Sequence, residues 1–559
     1  MDRLRLAAIQ LRRRERAPRS RVNQTAAVIR PVQRHSLRDR LRLSHEELRL
    51  ELELLKRRMF VAKAERVDTA QLELEFAATL AALDKLSGTA PPNREDRRAR
   101  KKSKPTGRRD LRQLPLEERR LEILDPVFEK LVAEGKAEHA GHEESCKLAY
   151  QRGGFRRLVV ARMKYQTIDR QGETYLETAI MPRELIPRSL AAPSLLAHIA
   201  VEKCWDGLPL FGIEDRFRRE GVPIDRGTMS RWLEEAGGTV GATILEAAKK
   251  DAFRTAFCIS TDATGIAVQP PPREDKKRQA CNRGHFFVLL ADKDHVFFEY
   301  TPHETSAFVS EMFRDYKGYL QADAKSVYDV LFQKPTPDEE ADRTEVGCWS
   351  HCRRGFWEAT MAKSAVAREG LARIGRMFDL EEAWRSDPPE VILRLRQAHL
   401  RPHMEEFFRW EELEFEKVKD QRGMLRSALG YARRQQTALM QVLEDGRLAL
   451  DNNASERALR KIAVARKRWL FVGSDVHAQS TGNLLSLISS AKLHGHDPET
   501  YLRDVFRVLP HWPRDRYLEL CPKYWAATRQ RLNPAELEAE VGYLSAPPSL
   551  GIPDQVTNL

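Results

Sequence analysis

The stretch from Phe257 to Asp323 constrains the fold more than any other part of the chain. Phe257-Cys-Ile-Ser260 is a short apolar run that stops at Thr261-Asp262. His285-Phe-Phe-Val-Leu-Leu290 and His295-Val-Phe-Phe-Glu-Tyr300 are rich in aromatic and β-branched residues, and Asp292-Lys-Asp294 between them is a turn signal. Thr305 to Tyr316 has the period of an amphipathic helix, and Tyr319-Leu-Gln-Ala322 is another short strand, ending at Asp323. Glu345-Val-Gly-Cys-Trp349 reads as a fifth strand, and residues 356–445 are then helical in pattern.

Three consecutive strands, a helix and further short strands resemble a ribonuclease-H-like core. The expected class is therefore a multidomain α+β protein. Its ribonuclease-H-like core is split into 251–355 and 446–510 by a helical insertion over 356–445, and 511–559 forms a tail. The chain has 559 residues, which suggests about three or four domains. Residues 1–43 carry many arginines and few acids and read as a basic disordered tail. Ser44-His-Glu-Glu47 is a capping box, and Leu48, Leu52, Leu55 and Met59 form one apolar stripe in a leucine-rich helical segment, 44–86. Leu72, Phe76, Leu80 and Leu83 repeat that pattern. Residues 87–113 are a basic linker too poor in apolar side chains to fold alone. Residues 114–184 read as a small mixed domain with strands at Phe155–Val160 and Thr174–Ala179. Residues 185–250 read as helical. Within them a first helix ends near Gly221, Val222–Gly227 turns, and Thr228–Leu233 starts a second, a helix-turn-helix pattern. Thr228, Ser230 and Arg231 stand where such a motif meets phosphates or base edges, although helix pairs of this kind are common in proteins that never touch DNA.

Charge supports a polyanionic partner. There are 95 Lys and Arg against 82 Asp and Glu, a formal charge of +13, and nucleic acid is the commonest polyanion. The seven cysteines are sparse and odd in number, which disfavours a disulfide framework and favours a reducing compartment. No apolar run is long enough to span a bilayer, and no apolar segment follows the arginine-rich start as a secretory signal would require. These features favour a cytoplasmic location.

Asp262 and Asp323 occupy equivalent places, each after a short apolar strand and before small residues. If the strands are neighbours, both carboxylates emerge at one sheet edge, where hard oxygen ligands suit Mg²⁺ or Mn²⁺. The ordinary fate of such an aspartate is to cap a turn. Glu456 adds weight. Asp451-Asn-Asn-Ala-Ser-Glu456 opens a helix with Arg457 and Arg460 beside the glutamate, and Arg466-Lys-Arg-Trp469 follows. A carboxylate ringed by Arg457, Arg460, Arg466, Lys467 and Arg468 suggests a metal ligand in a phosphate groove, with Trp469 either stacked on an unpaired base or buried.

These residues also carry a family resemblance. Asp451-Asn-Asn-Ala-Ser-Glu-Arg-Ala-Leu-Arg460 with Arg466-Lys-Arg-Trp-Leu-Phe-Val-Gly-Ser474 resembles the C-terminal signature of the IS66-family transposases. Gln321-Ala-Asp323 with Tyr328-Asp329 resembles the family's second-aspartate motif, and Ser260-Thr-Asp-Ala-Thr264 its first. Cys348-Trp-Ser-His-Cys-Arg-Arg354 resembles the strand that follows. The resemblance implies a DDE transposase of ribonuclease-H-like fold in which Asp262, Asp323 and Glu456 hold two Mg²⁺ or Mn²⁺ ions. Water and then a DNA 3′-hydroxyl would attack phosphodiester bonds at the ends of an insertion sequence. It also implies double-stranded DNA, both element ends and target, as partner, a homo-oligomer, small accessory proteins, and a bacterial, nucleoid-associated location. His351 and Arg354 are expected to support the active site or bind phosphate.

There are departures. Where the family carries a cysteine-pair zinc knuckle, this chain has only His139, His142 and Cys146, one ligand short of a tetrahedral set, so zinc is not expected. Lys325 replaces a more usual aromatic or small residue. Two rival readings stay open: a catalytically inactive DNA-binding relative, and a ribonuclease-H-like structure-selective nuclease.

Overall fold

The computed structural model describes residues 116–552 apart from 152, 169–173, 272–278, 334–341 and 363. The basic tail, the leucine-rich segment and the basic linker expected before residue 114 lie outside the described residues. The described chain is mixed α/β with two mixed sheets.

The first sheet is built on a long hairpin. β2 (Ala137–Gln151) and β3 (Gly154–Ile168) pair antiparallel along their whole length. β1 (Glu117–Ile123) runs parallel to Arg156–Arg162 of β3, and β4 (Thr174–Thr178) runs antiparallel to Lys164–Ile168, so the two share the other edge of β3 end to end. Helix α1 (Pro126–Ala133) is capped by Asp125, whose carboxylate accepts from Val127 N at 2.9 Å. The expected strand at Phe155–Val160 thus lies within β3. β2 escaped notice because its charged and polar residues are largely solvated and interrupt the alternation.

Helices follow: α2 (Pro193–Ala200), α3 (Leu210–Arg219), α4 (Arg226–Val240) and α5 (Glu246–Thr255). Gly221, at φ +80°, turns the chain between α3 and α4, a conformation that glycine adopts without steric cost. Asp225 caps α4 by accepting from Gly227 N at 2.8 Å. Buried Ile213, Phe217, Met229, Trp232 and Leu233 pack the pair.

The second sheet has five strands in the order β7-β6-β5-β8-β9. They are β5 (Cys258–Val268), β6 (Asn282–Ala291), β7 (His295–Thr301), β8 (Gly318–Gln321) and β9 (Arg343–Val346). β6 runs antiparallel to both of its neighbours, β5 and β7, while β8 and β9 run parallel to β5. Helix α6 (Ser306–Met312) links β7 to β8. A sheet covered on both faces needs strands that are apolar on both sides, which explains the unbroken run in β6. Phe287 and Leu289 pack into a core with α4, and Phe286 and Val288 into a separate core.

The segment 348–354, expected as a strand, is a helix instead. α7 (Trp349–Thr360) buries Trp349, Cys352, Phe356 and Ala359, three and four residues apart, as a helix stripe requires. With α8 (Ala365–Trp384), α9 (Arg401–Val418) and α10 (Met424–Arg434) it forms a helical body with its own core around Phe356, Met404, Phe407 and Leu429. The body leaves and rejoins the sheet at one point, where Trp349 N donates to Leu450 O at 3.1 Å.

Helix α11 (Asn453–Trp469) then lays Leu459, Ile462, Ala465 and Trp469 against Phe286 and Val288. α12 (Asp475–Leu493) covers β7, an edge strand whose spare N–H groups would otherwise be a template for pairing. Ser486 Oγ accepts from Phe298 N at 2.8 Å and Ser490 Oγ from Val296 N at 2.9 Å. Gly482, one turn earlier, allows the approach: a Cβ there would sit 2.6 Å from Phe298 O. α13 (Pro498–Val508) packs on α2. Among the described residues no helix is long and apolar enough to cross a membrane.

Candidate active site

The parallel register of β5 and β8 pairs Cys258 with Tyr319, Ile259 with Leu320 and Ser260 with Gln321. Asp262 and Asp323 each lie two residues beyond the last pair, so this register brings them out together where the pairing of the two strands stops. β8 ends there, but β5, expected to end at Asp262, runs on beside β6 to Val268. The Gln321 amide, almost fully buried, donates to Ala449 O at 2.9 Å and Gly347 O at 3.3 Å. It therefore fixes the end of β8 to the segment that returns from the helical body.

Asp262 Oδ1 accepts from Ala263 N at 2.7 Å. Burial pushes its carboxyl above the usual carboxylate range and the charge of Asp323 adds to the rise, against the opposing pull of the Ala263 N–H, Lys325 and His351. Asp323 Oδ1 is buried with no hydrogen-bond partner, while Oδ2 faces Lys325 Nζ at 3.5 Å. Lys325 also stands 3.5 Å from Glu304 Oε1, in the turn after β7. Burial alone would lower the Lys325 pKa, but Asp323, Glu304 and Asp262 together hold it above its ordinary value.

Glu456 reaches the same end of the sheet through α11. Asp451 Oδ1 accepts from Asn453 N at 3.0 Å at the helix start. Asn452, fully buried, donates from Nδ2 to Thr261 O at 2.7 Å, one residue beyond the last β5–β8 pair and one before Asp262. Glu456 in the first turn faces His351, whose Nε2 lies 3.6 Å from Glu456 Oε1. Asp262 feels the charges of both Asp323 and His351, and His351 in turn faces Glu456, so the histidine links the glutamate to the aspartate pair.

The expected DNA-contacting residues fall into two groups. Arg354, Arg457, Arg460, Lys467 and Arg468 are exposed, and Arg466 bonds Thr264 Oγ1 at 3.1 Å and Gly265 O at 2.9 Å, so its guanidinium lies along β5. Thr228, Ser230 and Arg231 sit in α4, where Arg231 donates to Thr228 Oγ1 at 3.1 Å. Among the described residues no hydrogen bond or ion pair ties them to the carboxylates. Sequence reasoning missed the roles of Lys325, Glu304, Gln321 and Asn452. Asn452 carried a signal as the helix-opening residue next to an aspartate, and Lys325 only as an unusual residue beside Asp323.

The donor chemistry fits a hard divalent cation in part. Asp262 and Asp323 are two partly buried carboxylates that repel, and Asp323 Oδ1 has no donor to satisfy it. Glu456 is engaged by His351, and among the described residues no three His, Cys, Asp or Glu side chains stand close enough to enclose an ion.

Residues 188–480 match the profile described as Transposase IS66 family, and residues 486–522 match the IS66 C-terminal element. The chain belongs to the IS66 transposase family. It is also similar to three uncharacterized proteins of Sinorhizobium fredii strain NGR234. One, y4qI, is 27% identical over 411 residues, which cover 72% of this chain and 75% of y4qI. Another, y4hP, is 27% identical over 374 residues, covering 62% of this chain and 64% of that protein. IS66 membership ties the chain to transposition and so to DNA.

Proposed function

We propose that this IS66-family chain is a DDE transposase that cleaves and joins phosphodiester bonds at the ends of an insertion sequence, with Asp262, Asp323 and Glu456 as its catalytic carboxylates. The observation that carries the reading is the convergence of three elements distant in sequence. Asp262 and Asp323 stand just past the stretch over which β5 and β8 pair in parallel, and Asn452 ties the start of the glutamate's helix to β5. The ribonuclease-H-like reading is supported by three antiparallel strands followed by two parallel ones on the side of the first. Residues 210–240 serve in it as a helix-turn-helix.

Asp262, Asp323 and Glu456 would hold two Mg²⁺ or Mn²⁺ ions, which activate an attacking oxygen and stabilise a leaving oxygen when bound. The protein's own part is positioning. The Ala263 N–H orients Asp262, Gln321 fixes the end of β8, and Asn452 fixes the helix that carries Glu456. Lys325 neutralises the aspartate pair, and His351 holds Glu456. Arg466, Lys467 and Arg468 supply cations for phosphates approaching along β5, and Arg354, Arg457 and Arg460 extend that field. A homo-oligomer is part of the proposal because two element ends must be joined. Small accessory proteins are proposed as further partners.

Strand cleavage of element-end DNA in the presence of Mg²⁺ tests it. Asp262→Asn, Asp323→Asn and Glu456→Gln should each abolish cleavage while duplex binding persists. Cleavage unaffected by these changes would remove the triad. No divalent binding by calorimetry in the wild-type protein would favour the inactive DNA-binding reading.

A further inference from the structure

A second site lies at the far end of β5. A cavity of about 530 Å³ opens there, lined by Lys203, Phe211, Arg226, Ser230, Trp469 and Phe471 among others. Its size falls within the ~300–1,000 Å³ of ordinary small-ligand sites. Phe211 is 59% exposed and Phe471 44%, and Leu470 and Val476, next to the lining residues in sequence, are also exposed. Scattered exposed apolar residues need no explanation, but a cluster of them around a concavity marks a binding site.

Two buried groups point to what enters. Lys203 is largely buried with its ammonium 3.7 Å from the centre of the Trp469 ring, and no carboxylate pairs with it among the described residues. Burial holds its pKa down to about 8. Trp469 is 93% buried, its relative exposure being 7%, and its Nε1 has no hydrogen-bond partner. The backbone here is held out of its ordinary range. Leu470 sits at φ +69°, which is rare for a residue with a branched side chain. The turn is then zipped onto the end of β5, with Val472 N to Ala267 O at 2.9 Å and Gln269 N to Val472 O at 2.8 Å. Strain of this kind persists where surrounding structure enforces it, often at ligand sites.

We propose that this cavity receives one unpaired nucleobase of the DNA strand engaged by the carboxylates, stacked against Phe471 and Phe211. The inference rests on the transposase reading and extends it. Three observations favour a base over an apolar protein segment. The lining mixes aromatic faces with Ser230 and Gln269, which offer a hydroxyl and an amide to a base edge. Lys203 and Arg226 supply charge for an attached phosphate. The cavity also lies on the path of Arg466, whose guanidinium bonds β5 between Asp262 and the cavity. At ~3.3 Å per residue, the strand from Asp262 to Gln269 spans about 23 Å, roughly seven base-pair steps at 3.4 Å each. A stacked base pair is too broad for such a pocket, whereas a single extruded base presents both faces to the rings.

The test uses the full chain and a short mixed-sequence oligonucleotide carrying one 2-aminopurine, as a single strand and as the matched duplex. Single-strand binding should quench the 2-aminopurine emission by stacking. Phe471→Ala and Phe211→Ala should each weaken single-strand binding about tenfold, the weight of one base–aromatic stack, and relieve the quenching. For Phe471→Ala, which lies outside the helix-turn-helix of residues 210–240, duplex binding should stay within about twofold, and this variant decides the comparison between the two DNAs. Both side chains are well exposed, so neither change threatens the fold. Equal losses on both DNAs for Phe471→Ala, or no change on the single strand for either variant, overturn the proposal and leave the rim as a protein contact. If cleavage persists while single-strand binding ignores both variants, this inference alone fails. If the wild-type protein binds neither DNA, the transposase reading fails with it.

Discussion

Asn452 is the residue whose removal should most cleanly separate the assembly of the site from the stability of the fold. Its side chain is fully buried, and its Nδ2 donates to Thr261 O at 2.7 Å. Its backbone N–H points to Cys348 Sγ at 3.3 Å. Asn452→Ala deletes the donor and leaves a carbonyl beside Asp262 buried and unbonded, at a cost of about 1–3 kcal/mol. Asn452→Asp keeps the shape but turns an acceptor toward that carbonyl, so it should be worse than alanine. The effect on function should be larger than the effect on stability. Glu456 lies one turn along the same helix, and a shift of about 1 Å in a reacting group costs on the order of 10²-fold in rate. Thermal unfolding followed by tryptophan fluorescence reads the first effect, and single-turnover cleavage of element-end DNA with Mg²⁺ reads the second. Expected for Asn452→Ala are a modest fall in Tm, duplex binding unchanged within about twofold, and cleavage down about 100-fold. Cleavage within about threefold of wild type, alongside the same fall in Tm, would refute the idea that this hydrogen bond sets the glutamate's place.

Three further outcomes are expected. Arg396, 2% exposed, grips the Glu381 carboxylate at 2.7 and 2.9 Å and donates to the carbonyls of Val442, Asp445 and Leu448 at 2.8–3.0 Å. Arg396→Met strands all of these acceptors and should destabilise the helical body by about 3–5 kcal/mol, while Arg396→Met with Glu381→Met should recover part of the loss in urea unfolding. Glu411 in α9 is buried, and burial, partly offset by Arg433, raises its pKa to about 7. A carboxyl raised on folding contributes full stability below its unfolded pKa of about 4.3 and loses it as pH rises through about 7. Glu411→Gln should therefore raise Tm at pH 8 but not at pH 4, by an amount equivalent to at most about 4 kcal/mol, and an equal gain at both values would rule out this ionisation as the cause. Gly482→Ala would press a methyl carbon onto Phe298 O at 2.6 Å and Phe286 Cε1 at 3.0 Å. It should cost about 1–3 kcal/mol and speed hydrogen exchange in β7, and unchanged protection there would contradict the tight seating of α12.

Much of the candidate site was legible because Asp323 and Glu456 sit at element boundaries, whereas Asp262, expected just past its strand, lies inside β5. The apolar runs before Asp262 and Asp323 and the Asn-Asn opening before Glu456 are local signals, and local signals survive in a single sequence. The register between β5 and β8 is not local. It joins Ser260 to Gln321 across two other strands and a helix, and no periodicity encodes it. The reading of 348–354 as a strand failed for a different reason. Val346-Gly-Cys-Trp349 looks like the end of an apolar strand, yet Trp349, Cys352 and Phe356 already have helical spacing, and it is the tertiary core around Phe407 that makes use of it. Lys325 was visible only as an odd residue beside an aspartate. Its meeting with Glu304 depends on where the turn after β7 ends, which again is set by the sheet as a whole.

The common exit and entry point of the helical body has a consequence in time. Gln321 cannot bond Ala449 until 128 positions of chain have been made and folded back. Closing so long a loop costs about 4 kcal/mol in chain entropy, against which the body's own core must form first. At ~5–20 residues per second, a ribosome needs roughly 6 to 26 s to cross that distance. During this interval the nascent protein carries both aspartates beside their strands and lacks the third acid. A chain broken off within the helical body would display the aspartate pair without Glu456, so under the proposed function chemistry on DNA would wait until the segment after the body has been made.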